Sequence, residues 1–170
     1  LSLARVLTGR FDDAATVRFR NGADIWRRVD TLDDEELCAR IQADEIDVLV
    51  ELSGHAPGNR LRALAARPAP VQISWLDYFH STGTQAIDVL LSDRVLSPPE
   101  LLDNYSERVA CLEAGRLAYS PPPGAPPILP RADGVLRLAC FNRLSKINDE
   151  VLATWARLLA SLPDAVLKLK

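Results

Sequence analysis

Three short polar stretches carry the side chains best able to do chemistry, and each follows an apolar run. The first, Ser53-Gly54-His55-Ala56-Pro57-Gly58, holds one of only two histidines in the chain. An imidazole there can donate to a ligand hydroxyl, act as acid or base, or simply bond nearby backbone. The second, residues 77–83, offers Asp77, His80, Ser81 and Thr82 ahead of Gly83, whose missing side chain lets backbone approach a polar ligand. The third, Asn142-Arg143-Leu144-Ser145-Lys146, sets cations just before a predicted helix. Phosphate there meets both charge and backbone N–H groups, and the plain alternative is a solvated surface lysine.

The stronger fingerprints are missing. No GxGxxG, GxxxxGK[ST], CxxC, HExxH or GxSxG pattern occurs, so any chemistry rests on these three loops. With two histidines, a histidine-rich metal site is not expected. A net charge of −3 gives no electrostatic case for a nucleic-acid or membrane-surface partner, and no apolar run approaches the ~20 residues of a spanning helix. Hydrophobic content of 48% with 25% charged residues is that of a soluble globular protein and argues against disorder. Cys38, Cys111 and Cys140 are odd in number and embedded in apolar patterns, which predicts buried, reduced thiols and a cytoplasmic protein. The absence of an initial methionine and an ending inside a predicted strand suggest a fragment cut at both ends.

The elements that must position these loops read as an alternating α/β series. Residues 1–10 give a poor signal, and 12–23 have weak helical character. Thr31-Leu32-Asp33-Asp34 resembles a helix start, a capping hydroxyl followed by acidic residues, with Leu37, Cys38 and Ile41 at helical spacing. The run 46–52 (IDVLVEL) has the apolar, β-branched texture of a buried parallel strand. A short helix is expected over 59–67, with Leu61, Leu64 and Ala65 on one face, ended by Pro68 and Pro70. Strands follow at 71–75 (VQISW) and 87–91 (IDVLL), then a short helix from Pro98 to Asn104 and a strand over 108–112. This order predicts a Rossmann-like parallel sheet with crossovers.

Residues 119–133 (YSPPPGAPPILPRAD) hold six of the twelve prolines and read as an extended connector. Beyond it come a strand at 135–141, a loop at 142–147 and a helix capped by Asn148. Val151, Leu152, Trp155, Leu158, Leu159 and Leu162 line one stripe of that helix, and a last strand begins at Ala165. The expected organisation is the C-terminal part of one Rossmann-like domain (1–118), a linker (119–133) and the truncated start of a second domain (134–170).

The segment ELSGHAPGNRLRALAARPAPVQISWLDYFHSTGTQAIDVLLSD resembles the core of the O-GlcNAc transferase family, glycosyltransferase family 41, particularly its bacterial members. Relatives carry a D/N-x-x-G-[HY] loop, a helix, RPAPxQxxWLGYPGTxG and a later aspartate. CFNRLSKINDEVLATWARLLASLPDAVLKLK is similar to the family's FNxxxKI-helix-VPxSxLWL segment, so the resemblance spans Asp24 to Lys170. It implies a GT-B architecture of two Rossmann-like domains. It also implies transfer of N-acetylglucosamine or a related sugar from a UDP-sugar to Ser/Thr hydroxyls of proteins, with inversion, without metal or other cofactor. The acceptor protein would be presented by upstream tetratricopeptide repeats. A fragment without the family's general base and uracil contacts would be inactive alone, and a non-catalytic interaction module that kept the fold is the alternative.

Residue by residue, Lys146 matches the lysine that offsets charge on the departing diphosphate, the catalytic role. Gly54, His55 and Arg60 match the glycine loop and following helix near the acceptor. Asp77, His80, Ser81, Thr82 and Gly83 match the loop at the donor sugar, and Asn142 and Arg143 flank the lysine. This chain departs from the pattern at Asp77, where most relatives have glycine, and at Phe79-His80, where they have Pro-Gly. Arg143 stands where the animal enzymes have glutamine.

Overall fold

Residues 4–7, 13–122, 124–128 and 134–170 are described in a computed structural model. In chain order the elements are β1 (Ala4–Leu7), α1 (Ala14–Asn21), β2 (Ile25–Arg28), α2 (Asp34–Ala43), β3 (Val48–Glu51), α3 (Leu61–Ala65), β4 (Val71–Ser74), β5 (Val89–Ser92), β6 (Arg108–Cys111), β7 (Arg137–Cys140), α4 (Asp149–Ala160) and β8 (Val166–Leu169). Single 3₁₀ segments lie at Pro99–Asn104 and Leu144–Lys146. The chain forms two compact units, Leu1–Ser120 and Pro121–Lys170.

In the first unit β3, β4, β5 and β6 form a parallel sheet in sequential order, with Val50 beside Ile73 and Leu90 beside Val109. All four strands therefore end at the same edge, where an open α/β sheet places its ligand contacts. β1 and β2 form a separate parallel pair with α1 between them in the chain. This pair has no counterpart in the sequence pattern. Ile25-Trp26-Arg27-Arg28 is half polar, and Arg27 is used in an ion pair with Asp44 at 3.0 Å.

The start of α2 differs from expectation in its cap. Asp33, not Thr31, caps the helix, accepting from Glu36 N while the Glu36 carboxylate accepts from Asp33 N. This reciprocal pair satisfies two otherwise orphaned N–H groups. Leu37 and Ile41 of α2 meet Ala63 and Leu64 of α3 in a core completed by Val29, Ala69 and Ile87. On α3 the buried pair is Ala63 and Leu64, and Ala65 turns outward. The helix is shorter than 59–67 because Arg67 takes φ of +51° before Pro68.

Arg67, Gln72 and Asp88 lock β4 against the start of β5. The Arg67 guanidinium donates to Asp88 at 2.9 Å and to the Ala86 carbonyl at 3.0 Å. Asp88 also accepts from Gln72 N at 2.8 Å, and that bond with the Arg67 contact holds its carboxyl below the usual range. Gln72 is fully buried, and its amide donates to the carbonyls of Leu64 and Ala86 at 2.9 and 2.8 Å. Gln72→Leu keeps the shape but removes both donors. Each carbonyl retains a partner from Arg67, so the expected loss is about 1–2 kcal/mol, read by urea denaturation. No loss would show that the amide is dispensable.

In the second unit β7 and β8 pair in parallel around α4, whose Asn148 cap accepts from Val151 N at 3.0 Å. The apolar stripe expected on this helix is present but only partly covered, with Leu152 45% and Leu158 42% exposed. Of the predicted linker, Pro123 and residues 129–133 lie outside the described residues, and the remainder holds no helix or strand. The cysteines correct the expectation of buried thiols. All three are free, Cys38 and Cys140 are half-buried, and Cys111, at the end of edge strand β6, is exposed.

Candidate functional site

The carboxyl ends of β3 and β4 bring two of the three predicted loops into contact. After β3 the chain bends at once, because Glu51 turns its carboxylate back onto the loop. One oxygen accepts from Ser53 N at 3.0 Å and Gly54 N at 2.9 Å, and the other accepts from the Ser74 hydroxyl on β4. Gly54 then takes φ of +49°, and a Cβ built there would lie 2.2 Å from the Cβ of Tyr78. Glycine is required at this point by close approach as well as by backbone sign. His55 is exposed and meets Tyr78 edge-on, ring centroids 5.0 Å apart.

The β4 loop turns sharply at Leu76, which takes φ of +85°, a conformation that a bulky side chain adopts only when its surroundings enforce it. Asp77 N donates to the Leu52 carbonyl at 3.1 Å, tying the two loops together, and the Asp77 side chain is exposed. From there an aromatic series runs Tyr78, Phe79, His80, Tyr105, ending in a stack of His80 on Tyr105 at 4.7 Å and 14°. His80 Nδ1 accepts from Ser81 N at 2.8 Å, so its proton in the neutral form sits on Nε2.

Ser81 and Thr82 do not join this edge. Thr82 is buried and donates both its N–H, at 2.7 Å, and its hydroxyl to Glu107, and Ser81 donates to the same carboxylate at 2.8 Å. Glu107 immediately precedes β6, so these residues lie toward the side where that strand begins. Gly83 is exposed at φ of +72°. Arg60 is likewise occupied, donating to Asp34 at 2.8 Å and to the Leu32 carbonyl at 2.9 Å, which braces α3 against α2. The structure therefore gathers Gly54, His55 and Asp77, sets His80 against Tyr105, and gives Arg60, Ser81 and Thr82 internal partners.

Burial pushes the Glu107 carboxyl up, but the donors from Thr82 and Ser81 outweigh it and hold it below its ordinary value. A folded-state value below the unfolded one means stability present at neutral pH and lost as pH falls through the carboxylate range. Glu107→Gln is expected to cost about 2 kcal/mol at pH 7 and to flatten the fall in stability below about pH 5. Thermal melts at several pH values check both; an unchanged acid limb would remove Glu107 from it.

Three residues not singled out as site candidates hold these loops in place: Glu51 and Arg116 at the strand-end edge, and Glu107 behind Ser81 and Thr82. For Glu51 a signal existed, since a carboxylate that ends the apolar stretch Val48-Leu49-Val50 sits where burial demands a partner. In the second unit Asn142, Arg143 and Lys146 are all exposed, Lys146 ending a 3₁₀ turn shortly before the first residue of α4. Its ammonium meets no partner among the described residues. Among these residues no three His, Cys, Asp or Glu side chains are grouped to hold a metal ion, and no helix is long and apolar enough to cross a membrane.

Comparison with known proteins places this arrangement. A solved structure of a mutant Thermobaculum terrenum O-GlcNAc transferase superposes with a TM-score of 0.89 at 44% identity, covering 98% of this chain and 32% of that one. The parallel α/β architecture is of the GT-B type. Residues 12–117 match the model of glycosyl transferase family 41, and the chain belongs to that family. Among curated relatives, the probable UDP-N-acetylglucosamine–peptide N-acetylglucosaminyltransferase SPINDLY of Oryza sativa subsp. japonica is 34% identical over 165 residues. That of Solanum lycopersicum is 36% identical, and the enzyme of the same description named SEC from Arabidopsis thaliana is 28% identical over 163. Each SPINDLY match takes in 93% of this chain but only 18% of the relative's length.

Proposed function

We propose that the full-length protein containing this sequence transfers N-acetylglucosamine from UDP-GlcNAc to serine or threonine hydroxyls of proteins. The observation that carries the reading is 44% identity to an O-GlcNAc transferase structure over 98% of the chain, spanning both the strand-end loops and the Lys146 segment. In this reading Lys146 contacts the donor diphosphate and offsets the charge that grows on the departing UDP. Asn142 and Arg143 line the same turn. His55 and Asp77 offer a donor or acceptor and a carboxylate to sugar or acceptor hydroxyls, from loops fixed by Glu51 and Tyr78. The sheet-edge position of those loops suits a polar ligand bound outside the strand ends. Acceptor presentation by tetratricopeptide repeats, independence from metal and a cytoplasmic location belong to the same proposal.

Calorimetric titration of the full-length protein with UDP tests donor binding directly. One-to-one binding, with label transferred from UDP-GlcNAc to a serine-containing peptide, is the expected result. Absence of heat would favour a binding module that kept the fold without the donor site.

A further inference from the structure

We infer that Arg116 is the positioning residue of the strand-end site, acting through the Tyr78 carbonyl; this rests on the transferase reading above. Arg116 is 7% exposed, and although the Asp93 carboxylate feels its charge, its guanidinium makes no direct ion pair among the described residues, unusual for a buried arginine. Its guanidinium donates to the Tyr78 carbonyl at 2.7 Å, and its buried Nε has no partner among the described residues. Its backbone is held on both sides. The N–H donates to Asp93 Oδ2 at 3.0 Å, and the carbonyl accepts from Trp75 Nε1 at 2.9 Å.

These contacts draw together the ends of all four strands. Tyr78 and Trp75 follow β4, Asp93 follows β5, Arg116 lies beyond β6, and Tyr78 presses on Gly54 and His55 beyond β3. A buried guanidinium bonded to a neutral carbonyl is a costly way to stabilise a fold, since an apolar residue fills such space without desolvating a charge. What it does supply is a fixed direction for one carbonyl. That carbonyl ends the turn in which Leu76 is held at positive φ, so Arg116 sets where Asp77 and the His55–Tyr78 pair stand. Nothing in the contacts puts Arg116 against a reacting atom, so its effect is on placement. Small displacements of groups that orient a substrate are felt strongly in binding and turnover.

The test uses the full-length protein with Arg116→Ala and Arg116→Lys, UDP-GlcNAc and an acceptor peptide. Arg116→Ala is expected to raise the KM for UDP-GlcNAc about tenfold while kcat changes less than about threefold, and Arg116→Lys, which restores a cationic donor, to recover most of the KM. In parallel, the imidazole C–H resonance of His55, shifted by the Tyr78 ring, is expected to move toward its free value in Arg116→Ala and return in Arg116→Lys. A folded Arg116→Ala protein with unchanged KM and an unmoved His55 resonance would overturn the inference. If Arg116→Ala does not fold, Arg116→Met, which keeps the length of the side chain but offers no donor to the Tyr78 carbonyl, decides in its place. A shifted His55 resonance with raised KM supports the positioning role, and wild-type behaviour in both overturns it. If wild-type protein neither binds UDP nor transfers sugar, the transferase reading fails, and the His55 resonance still reports on Arg116.

Discussion

Lys146→Ala in the full-length protein is expected to lower kcat by about 10²- to 10³-fold, the usual cost of removing one group that stabilises charge appearing in a transition state. In the proposed reaction the bond from the sugar to the β-phosphate breaks as the acceptor oxygen attacks, and negative charge accumulates on UDP. A cation near that oxygen is worth more as the charge grows, so the loss should fall on kcat more than on KM. The local setting suits this role. Lys146 is exposed, unpaired among the described residues, and close in sequence to the N-terminus of α4, whose dipole adds to the attraction. Because the side chain is solvent-facing, the melting temperature should not move. Steady-state kinetics with UDP-GlcNAc and an acceptor peptide, beside a thermal melt, give the answer; unchanged turnover would strip Lys146 of the role.

Gly54→Ala is expected to cost about 3–4 kcal/mol, the largest stability effect of any small substitution at the strand edge. Two penalties add. Alanine at φ of +49° carries the left-handed cost of about 1 kcal/mol, and its Cβ would stand 2.2 Å from Tyr78 Cβ, far inside contact distance. Relief requires the β3 and β4 loops to part, breaking the Glu51 bonds to Ser53 N and Gly54 N. Gly58 is the control. It takes φ of +83° with nothing within 4 Å of a built Cβ, so Gly58→Ala should cost only about 1 kcal/mol. Equal denaturation midpoints for the two variants would refute the close-approach argument.

The parallel sheet could be read in advance because its strands are buried and so spell nearly continuous apolar runs. IDVLVEL, VQISW and IDVLL each announce a strand; the structure trims the first to Val48–Glu51 and the second to Val71–Ser74, and shifts the third to Val89–Ser92. β1 and β2 could not be read, since a short pair with Arg27 and Arg28 in it carries no such run. Of the site, the loops were legible from their position after strands, and so was His55. Partner choice was not. Ser81 and Thr82 look like ligand-binding hydroxyls in sequence, but Glu107, 25 residues from Thr82, takes both. The importance of Arg116 likewise depends on a carbonyl 38 residues away, which no local pattern encodes.

The connection from β4 to β5 contains no helix, yet main-chain atoms hold its route at four points, Asp77 N on Leu52, the Tyr78 carbonyl on Arg116, Thr82 N on Glu107 and Asp88 N on Gln72, beside the side-chain ties of Ser81, Thr82 and Asp88. Side chains at Asp77 and Phe79 take no hydrogen-bonding part in that path. The loop is thus a fixed rail with interchangeable fittings. What the loop offers a ligand at those two positions can change without renegotiating the fold, whereas a change at His80 would also give up its bond from Ser81 N and its stack on Tyr105.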